Sequence, residues 1–309
     1  NMANAFRSSI RWQTTCLRVK DAVKSSSFYE KHFGFQILAK RKFENHQVFS
    51  LAILKDDEKF DLKPDSKEAI DYLKSFNGSL IELHHDFGTE KDASFSINNG
   101  NVEPNRGFGH IAVNCDDVYA SCEKLVAADV KFQKKPDEGR MKGLAFALDP
   151  DGYWIEVVKR SSSTNFKKEF NLSQTMIRVK DAEKSLKFYK DLLAMTLVTQ
   201  KDFGPDKGDF SLYFLASLGD AENELEKYNG LWQPVLELTH NHGTENKEDF
   251  SYHNGNTDPK GFKNIGFTCE KPDELLKLLK QNNVTVVQEA SADSPAIVAD
   301  PDNYYVTLL

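Results

Sequence analysis

The chain has 309 residues, of which 39% are hydrophobic and 28% are charged, with a formal net charge of -7 at pH 7. This composition is typical of a folded globular protein, and the length suggests about two domains. The negative charge argues against a nucleic-acid partner, and no stretch approaches the roughly 20 apolar residues of a membrane helix.

Strand and helix patterns alternate along the chain. In the first half, HIAVN is typical of a strand, DVYASCEKLVAAD of a helix, and LAFAL and YWIEVV of further strands. In the second half, QTMIRV indicates a strand. KDAEKSLKFYKDLL has apolar residues at helical spacing, with Asp181 as the expected N-cap. FSLYFL and VLELTH then favour strands.

The second half repeats the first. TTCLRVKDAVKSSSFYEK at residues 14–31 corresponds to QTMIRVKDAEKSLKFYKD at residues 174–191, 160 residues later. Further along, FSLAIL corresponds to FSLYFL, LIELHHDFGTE to VLELTHNHGTE, and DPDGYWIEVV to DPDNYYVTLL. Self-similarity of this length indicates a duplicated architecture.

Each half divides again into two βαβββ-like modules. The four modules are predicted at residues 8–102, 103–160, 172–256 and 257–309. The first repeat then spans residues 8–160 and the second spans residues 172–309. Residues 161–171, within a polar and serine-rich stretch, are the predicted linker.

The cysteines and the N-terminal sequence indicate the cellular compartment. The four cysteines form no CxxC pair, and we expect them to be reduced and mostly buried. They are Cys16, Cys115, Cys122 and Cys269. The N-terminal residues lack the apolar run of a secretory signal. A cytoplasmic location is therefore expected.

Four polar side chains occupy strand positions that otherwise favour core residues. Glu237 lies between two leucines in VLELTH, and Glu156 lies between isoleucine and valine in WIEVV. Gln174 opens the strand QTMIRV, and His110 lies in GFGHIAV. Each one alone could be an outward-facing or satisfied core side chain. Together, two carboxylates, an amide oxygen and an imidazole form a nitrogen-and-oxygen ligand set suited to Zn²⁺, Ni²⁺ or another divalent ion.

These motifs carry a family resemblance. QTMIRVKD, ELTHNHGTE, SYHNGN, RGFGHIAV, GRMKGLAF and DPDGYWIEVV resemble the motif series of glyoxalase I, the lactoylglutathione lyases, in their fused two-repeat form. The resemblance covers nearly the whole chain. It implies the α+β fold of the vicinal oxygen chelate superfamily (the glyoxalase/bleomycin-resistance/dioxygenase fold), in which four βαβββ modules pair into two curved mixed sheets.

The resemblance also implies how the site is assembled. Gln174 and Glu237 from the second repeat would join His110 and Glu156 from the first around one metal ion. Glu156 is the expected catalytic base, with Glu237 as its partner on the opposite side. Zinc is the expected ion and nickel the alternative, and the insertion between Lys55 and Asn77 resembles the usually zinc-dependent eukaryotic form.

The same resemblance implies contacts to glutathione. Arg178, Asn241 and Arg106 would hold its carboxylates, although surface ion pairing is an alternative for both arginines. Arg140 and Met141 would lie in a loop over the ligand, and Arg140 stands where the family more often has lysine. The apolar wall of the pocket is expected to include Phe146, Trp154 and Phe210.

The implied reaction is isomerisation of the methylglyoxal–glutathione hemithioacetal to S-D-lactoylglutathione through an enediolate, with glutathione as co-substrate and the chain as a monomer. Two other classes stay open. A binding module could hold a metal or thiol adduct without turnover, but the intact pair Glu156 and Glu237 argues against it. An extradiol-type dioxygenase would require two histidines and one carboxylate on iron.

The duplication offers a second site, which the sequence predicts to be degenerate. At the positions of the glutamine, the histidine and the second glutamate, this second site has Thr14 from the first repeat and Asn264 and Thr307 from the last module. Only Glu82 keeps its carboxylate. Asp86 stands where the first site has its binding asparagine, and would repel a ligand carboxylate. We therefore expect one working site per chain.

Overall fold

The computed structural model describes residues 6–161, 166–218 and 231–309. Within these ranges the chain forms two eight-stranded mixed sheets, as the resemblance implied. Residues 162–165 of the predicted linker lie outside the described part. Among the helices that are described, none is both long and apolar enough to cross a membrane.

The first repeat contains two βαβββ modules. The first module consists of β1 (Arg11–Arg18), α1 (Ala22–Phe33), β2 (Gln36–Lys42), β3 (His46–Ala52), α2 (Lys67–Ser75) and β4 (Leu80–Asp86). The second consists of β5 (Phe108–Cys115), α3 (Val118–Ala127), β6 (Lys131–Lys134), β7 (Ala145–Leu148) and β8 (Trp154–Lys159).

The second repeat has the same order of elements. Its first module consists of β9 (Asn171–Arg178), α4 (Ala182–Leu186), which continues as the π-helical segment Lys187–Leu192, β10 (Thr196–Phe203), β11 (Phe210–Ala216) and β12 (Val235–Asn241). Its second consists of β13 (Phe262–Thr268), α5 (Pro272–Gln281), β14 (Val286–Gln288), β15 (Ala296–Ala299) and β16 (Tyr305–Leu308). Short 3-10 turns lie at Arg7–Ser9, Thr89–Lys91, Pro205–Lys207 and Thr244–Asn246.

Aspartates begin three of the four described helices that follow the first strand of a module, and α5 instead begins at Pro272 without a side-chain cap. The predicted N-cap Asp181 accepts a hydrogen bond from the backbone N–H of Lys184 at 3.3 Å. Asp21 and Asp117 cap α1 and α3 in the same way. Such caps satisfy backbone N–H groups that have no partner within the helix, and so fix where each helix starts.

Each sheet combines modules from both repeats. One sheet has the strand order β14-β15-β16-β13-β1-β4-β3-β2, and the other has the order β10-β11-β12-β9-β5-β8-β7-β6. The antiparallel pairs β1–β13 and β5–β9 join the repeats at the centre of each sheet. A surface that crosses β5 and β9 therefore takes side chains from both halves of the chain.

An approximate two-fold axis relates the two sheets. Thr15 and Thr175, which are equivalent in the two repeats, share a hydrogen bond of 2.8 Å between their hydroxyls. The equivalent rings of Phe108 and Phe262 stack with centroids 5.0 Å apart. One continuous apolar core lies between the sheets and takes side chains from both. Because side chains alternate along a strand, the other face of each central strand is left for other uses.

Buried tyrosines tie the modules of one repeat together across the core. Tyr29 donates a hydrogen bond to Asp149 at 2.8 Å, and Asp149 also accepts from the backbone N–H of Tyr153 at 3.0 Å. Tyr189 and Asp300 repeat this arrangement at 2.6 Å. Burial and the neighbouring Asp151 raise the pKa of Asp149 to about 7. The hydrogen bonds offset part of the cost of burying these carboxyl groups.

Two sequence interpretations need correction. Ser50 of β3 pairs with Glu82, whereas Phe214 of β11 pairs with the equivalent Glu237, so the FSLAIL–FSLYFL match was three residues out of register. The loop between β10 and β11 is longer than the loop between β2 and β3, and this moved the FSL motif along its strand. Gln174 also lies inside β9, which begins at Asn171, and does not open the strand.

The helix α2 was not predicted. It lies within the insertion after Lys55, where Ser66 caps its first turn by accepting from the N–H of Ala69 at 3.1 Å. The cysteines agree with expectation, because Cys16, Cys115 and Cys122 are buried and Cys269 is half-buried.

The tyrosine–aspartate pairs give a prediction about stability. Tyr29→Phe should lower the free energy of unfolding by about 1–3 kcal/mol, since the buried Asp149 loses a hydrogen-bond donor. Tyr189→Phe should cost a similar amount at Asp300. Urea unfolding followed by circular dichroism measures both. Losses below about 0.5 kcal/mol in both variants would contradict a stabilising role for the pairs.

Candidate metal centre

Strand register places the four predicted metal ligands on one face of a sheet. Ala112 of β5 pairs with Gln174 on one side and with Glu156 on the other. His110 lies two residues before Ala112 and so points to the same face. Glu237 of β12 pairs with the β9 residue two positions after Gln174, and it shares that face too. The small alanine side chain leaves space among the four.

The four side chains converge on one point. His110 Nε2 lies 3.2 Å from Glu156 Oε2 and 3.5 Å from Glu237 Oε2. Gln174 Nε2 donates to Glu156 Oε2 at 2.5 Å and to Glu237 Oε2 at 2.7 Å. All four residues are buried. Within the described residues, His110, Glu156 and Glu237 form a group able to hold a metal ion, with ligand atoms within 4.8 Å of one another.

The charges of this cluster fit a bound cation. Burial by itself would lower the pKa of His110, but the carboxylates of Glu156 and Glu237 outweigh burial and raise that pKa to about 9. Burial raises the pKa of Glu237, against the lowering effect of His110. An imidazolium balances only one of two buried carboxylates. A divalent ion with a neutral imidazole would balance both, so the donor set fits such an ion.

Gln174 fits the same ligand set through its amide oxygen. Its Nε2 now lies 3.2 Å from His110 Nε2. The amide nitrogen carries two protons and cannot bind a cation, whereas the amide oxygen has two lone pairs. Turning the amide about its last side-chain bond exchanges the two atoms and brings the oxygen to the centre of the cluster.

Only part of the predicted aromatic wall lies at the candidate metal centre. The ring of Phe146 lies 5.3 Å from the ring of His110 and 5.2 Å from that of Trp154. These two aromatic residues therefore line the metal centre. Phe210 instead stacks on Phe203 with centroids 4.6 Å apart and pairs with Asn241, at the far end of the same face.

The guanidinium of Arg178 already donates several hydrogen bonds within the protein. Its Nη1 donates to the carbonyl oxygen of Gly100 at 3.0 Å, and its Nη2 donates to Asn101 Oδ1 at 2.8 Å. Arg18 makes the equivalent bonds in the other half. These contacts are thus part of the duplicated fold. Burial, aided by the nearby charge of Arg106, lowers the pKa of Arg178 to about 10.

The other predicted ligand contacts lie around this guanidinium or in the β6–β7 loop. Asn241 Nδ2 donates to the hydroxyl of Tyr252 at 3.1 Å. Arg106 is partly exposed and pairs with Glu103 at 3.3 Å. Arg140 and Met141 are exposed, in the loop before β7. Sequence reasoning gave Tyr252 and Asn101 no role, although the motifs SYHNGN and NNGN contain them.

The sheet that contains β1 and β13 has different side chains at the equivalent positions. Thr14 and Thr307 flank Gly266 there, as glutamine and glutamate flank the alanine in the candidate centre. Asn264 and Glu82 both pair with Cys16 of β1, which lies between them. They therefore occupy the positions that the histidine and the first glutamate have in the candidate centre. The register therefore agrees with the residue correspondence expected for the degenerate half.

A protein side chain supplies the positive charge in this half. The guanidinium of Arg41 forms an ion pair with Glu82, and the hydroxyl of Ser50 donates to the same carboxylate at 2.9 Å. Beside them, His84 Nε2 lies 3.0 Å from Asp86 Oδ1, and Lys263 Nζ lies 3.1 Å from His84 Nδ1. The charge of Glu82 is therefore balanced by a side chain of the protein.

Comparisons with known proteins match nearly the whole chain. A sequence model of the Glyoxalase/Bleomycin resistance protein/Dioxygenase superfamily matches residues 11–157 and 171–308. The chain is 38% identical to a glyoxalase I of Saccharomyces cerevisiae, over 96% of this chain and 90% of that protein. It is 37% identical to a lactoylglutathione lyase of Schizosaccharomyces pombe, over 98% and 97%. The crystal structure of a Zea mays glyoxalase I matches 97% of this chain and 92% of its own, with 25% identity and a TM-score of 0.69.

Proposed function

The chain belongs to the glyoxalase I family, and on this premise we propose that it is a metal-dependent lactoylglutathione lyase. Its substrate would be the hemithioacetal of methylglyoxal and glutathione, and its product S-D-lactoylglutathione. The observation that carries the proposal is the convergence of Gln174, Glu237, His110 and Glu156 on one buried point.

These four side chains would hold the divalent ion. The chemistry that the bound ion supplies is polarisation of the substrate's oxygens, which stabilises the negative charge that develops on them. The ligand set contains no thiolate, which is compatible with zinc and with nickel. We keep zinc as the proposed ion.

Glu156 is the proposed base. Its carboxylate would take the proton from the carbon that bears the hydroxyl of the hemithioacetal, leaving an enediolate, and would return it to the neighbouring carbon, while the hydroxyl proton passes to the former carbonyl oxygen. The electrons stay within the carbon pair, so no oxidant or reductant is required. Glu237 would face the substrate from the opposite side. Burial of the cluster and the adjacent ring of Phe146 exclude water, which strengthens these electrostatic interactions.

Recognition of glutathione would fall to the polar groups around β12 and to one loop. Asn241, Arg178 and Arg106 would hold its carboxylates, with the spare N–H groups of Arg178 taking part. Arg140 and Met141 would close over the ligand from the exposed loop before β7.

One working site per chain is part of the proposal. The ion pair between Arg41 and Glu82 supports it, because an internal cation already occupies the remaining carboxylate. A monomer is also proposed, since each sheet is completed within the chain by strands of both repeats. The repeat boundaries at residues 8–160 and 172–309 and a cytoplasmic location are retained as expectations.

A matched pair of substitutions tests the metal site together with the activity. The wild-type chain should contain one metal ion and turn over methylglyoxal with glutathione. Glu237→Gln should lose most of the bound metal and the turnover, because it removes a direct ligand. Glu82→Gln should leave both almost unchanged. Metal content is measured by mass spectrometry, turnover by absorbance, and folding by thermal unfolding of all three proteins.

Each contrary outcome has its own meaning. Two ions per chain, or equal losses from both substitutions, would contradict the single-site assignment. A wild-type chain that binds metal and S-alkylglutathione but shows no turnover would support a binding module and overturn the proposed activity.

The assignment of the base has a separate test. Glu156→Gln should leave a folded chain that binds S-alkylglutathione, with turnover per bound metal ion reduced by about 10²–10⁴-fold, the usual effect of losing a general base. Single-turnover kinetics at saturating substrate measure the step directly. Near-normal turnover in this variant would exclude Glu156 as the base.

A further inference from the structure

We propose that Tyr252 is a further substrate-binding residue, whose hydroxyl donates a hydrogen bond to a carboxylate of the glutathione moiety. The proposal rests on the function proposed above and extends its ligand site. The residue lies in the segment between β12 and β13, next to Asn241 and close to Arg178 and Arg106.

Backbone contacts fix the position of Tyr252 at the junction of the two repeats. The N–H of His253 donates to the carbonyl oxygen of Arg106 at 2.8 Å, and His253 also forms a parallel bridge with Gly107. The ring of Tyr252 packs edge-on against Phe250, with centroids 4.8 Å apart. The hydroxyl is therefore held beside the segment that carries Arg106.

The hydroxyl proton of Tyr252 is available for a hydrogen bond. It accepts a hydrogen bond from Asn241 Nδ2 at 3.1 Å. A phenol can accept on its oxygen and donate its own proton at the same time. Among the described residues, no acceptor for that proton is found. A carboxylate oxygen held by Asn241 would lie next to it, and hydrogen bonds to a charged acceptor are the strong ones.

The surrounding charges favour an anionic ligand. Burial raises the pKa of Tyr252, so the phenol keeps its proton and can donate it. The positive charges of Arg178 and Arg106 are near enough to act on this hydroxyl in the opposite direction. A ligand carboxylate at this place would be attracted by both guanidinium groups and would meet the proton of the phenol.

Comparison of the two repeats indicates whether the tyrosine is needed for folding or for binding. The motif SYHNGN of the second repeat corresponds to SINNGN in the first, so Ile97 stands at the position of Tyr252. Asp86 stands at the position of Asn241 in that half. The same chain segment therefore folds without a hydroxyl. The tyrosine accompanies the asparagine in the repeat that supplies Gln174 and Glu237 to the candidate metal centre, which points to a ligand as the partner of its hydroxyl.

The test compares Tyr252→Phe with the wild type, both as metal-loaded full-length chains. The dissociation constant for S-hexylglutathione, measured by calorimetry, should rise by about 10-fold, the effect of one lost hydrogen bond to a charged group. The KM should rise similarly, with kcat within about two-fold and an unchanged metal content. Tyr72→Phe, in α2 where the ring packs against Phe60 and Phe76, is the matched control and should change neither constant.

Two further arms distinguish a direct contact from an effect through Asn241. In the Asn241→Ala background, Tyr252→Phe should still weaken binding if the phenol touches the ligand. Of two S-hexylglutathione derivatives, each with one carboxylate converted to an amide, only one should lose its sensitivity to Tyr252→Phe.

The outcomes that overturn the proposal are separate. An unchanged dissociation constant in Tyr252→Phe overturns it outright. No further loss in the Asn241→Ala background, or equal sensitivity of both amides, would make Tyr252 a positioning residue and overturn the direct contact. A wild-type chain that neither binds S-hexylglutathione nor turns over methylglyoxal with glutathione would overturn the proposed function, and this inference with it.

Discussion

The antiparallel pairing of β5 with β9 is the constraint on which the candidate site depends. These strands come from different repeats, and their register sets Gln174 beside Ala112, with Glu156 on the other side of the same alanine. Neither repeat alone has the four ligands. Because one face of each strand is committed to the shared core, the polar side chains are confined to the other face. Core packing and ligand placement are thus consequences of one register.

The two halves show two solutions to the same electrostatic problem. A carboxylate buried on this face must be paired, or its desolvation would cost more free energy than the fold can supply. Glu82 is paired with Arg41 and with the hydroxyl of Ser50. At the equivalent places of the other half stand Lys201 and Phe214, and two carboxylates face one imidazole. The scaffold is compatible with both solutions, so divergence of a few side chains separates them.

The elements and the four residues of the candidate metal centre could be predicted from the sequence because their signals are local. A glutamate between apolar neighbours in a strand stands out, and the repeated motifs place the module order along the chain. Register is different, because it depends on loop lengths and bulges. The β10–β11 loop displaced the FSL match by three residues, and Ser173 lies at a bulge that no local pattern marks. The pairing of Arg41 with Glu82 joins residues whose proximity only the sheet reveals.

The contacts of Arg178 connect the proposed recognition site to the candidate metal centre. Arg178 donates to Asn101 Oδ1, and Asn101 Nδ2 in turn donates to the carbonyl oxygen of Gly109, the residue before His110, at 2.6 Å. A side chain at Gly109 would collide with Met176, so the backbone approaches closely here. The first-repeat loop, the second-repeat strand and the imidazole ligand are therefore held by one chain of hydrogen bonds. Since Arg18 forms equivalent bonds in the other half, this bracing came with the duplicated fold. What distinguishes the candidate centre is the set of side chains that the bracing holds in place.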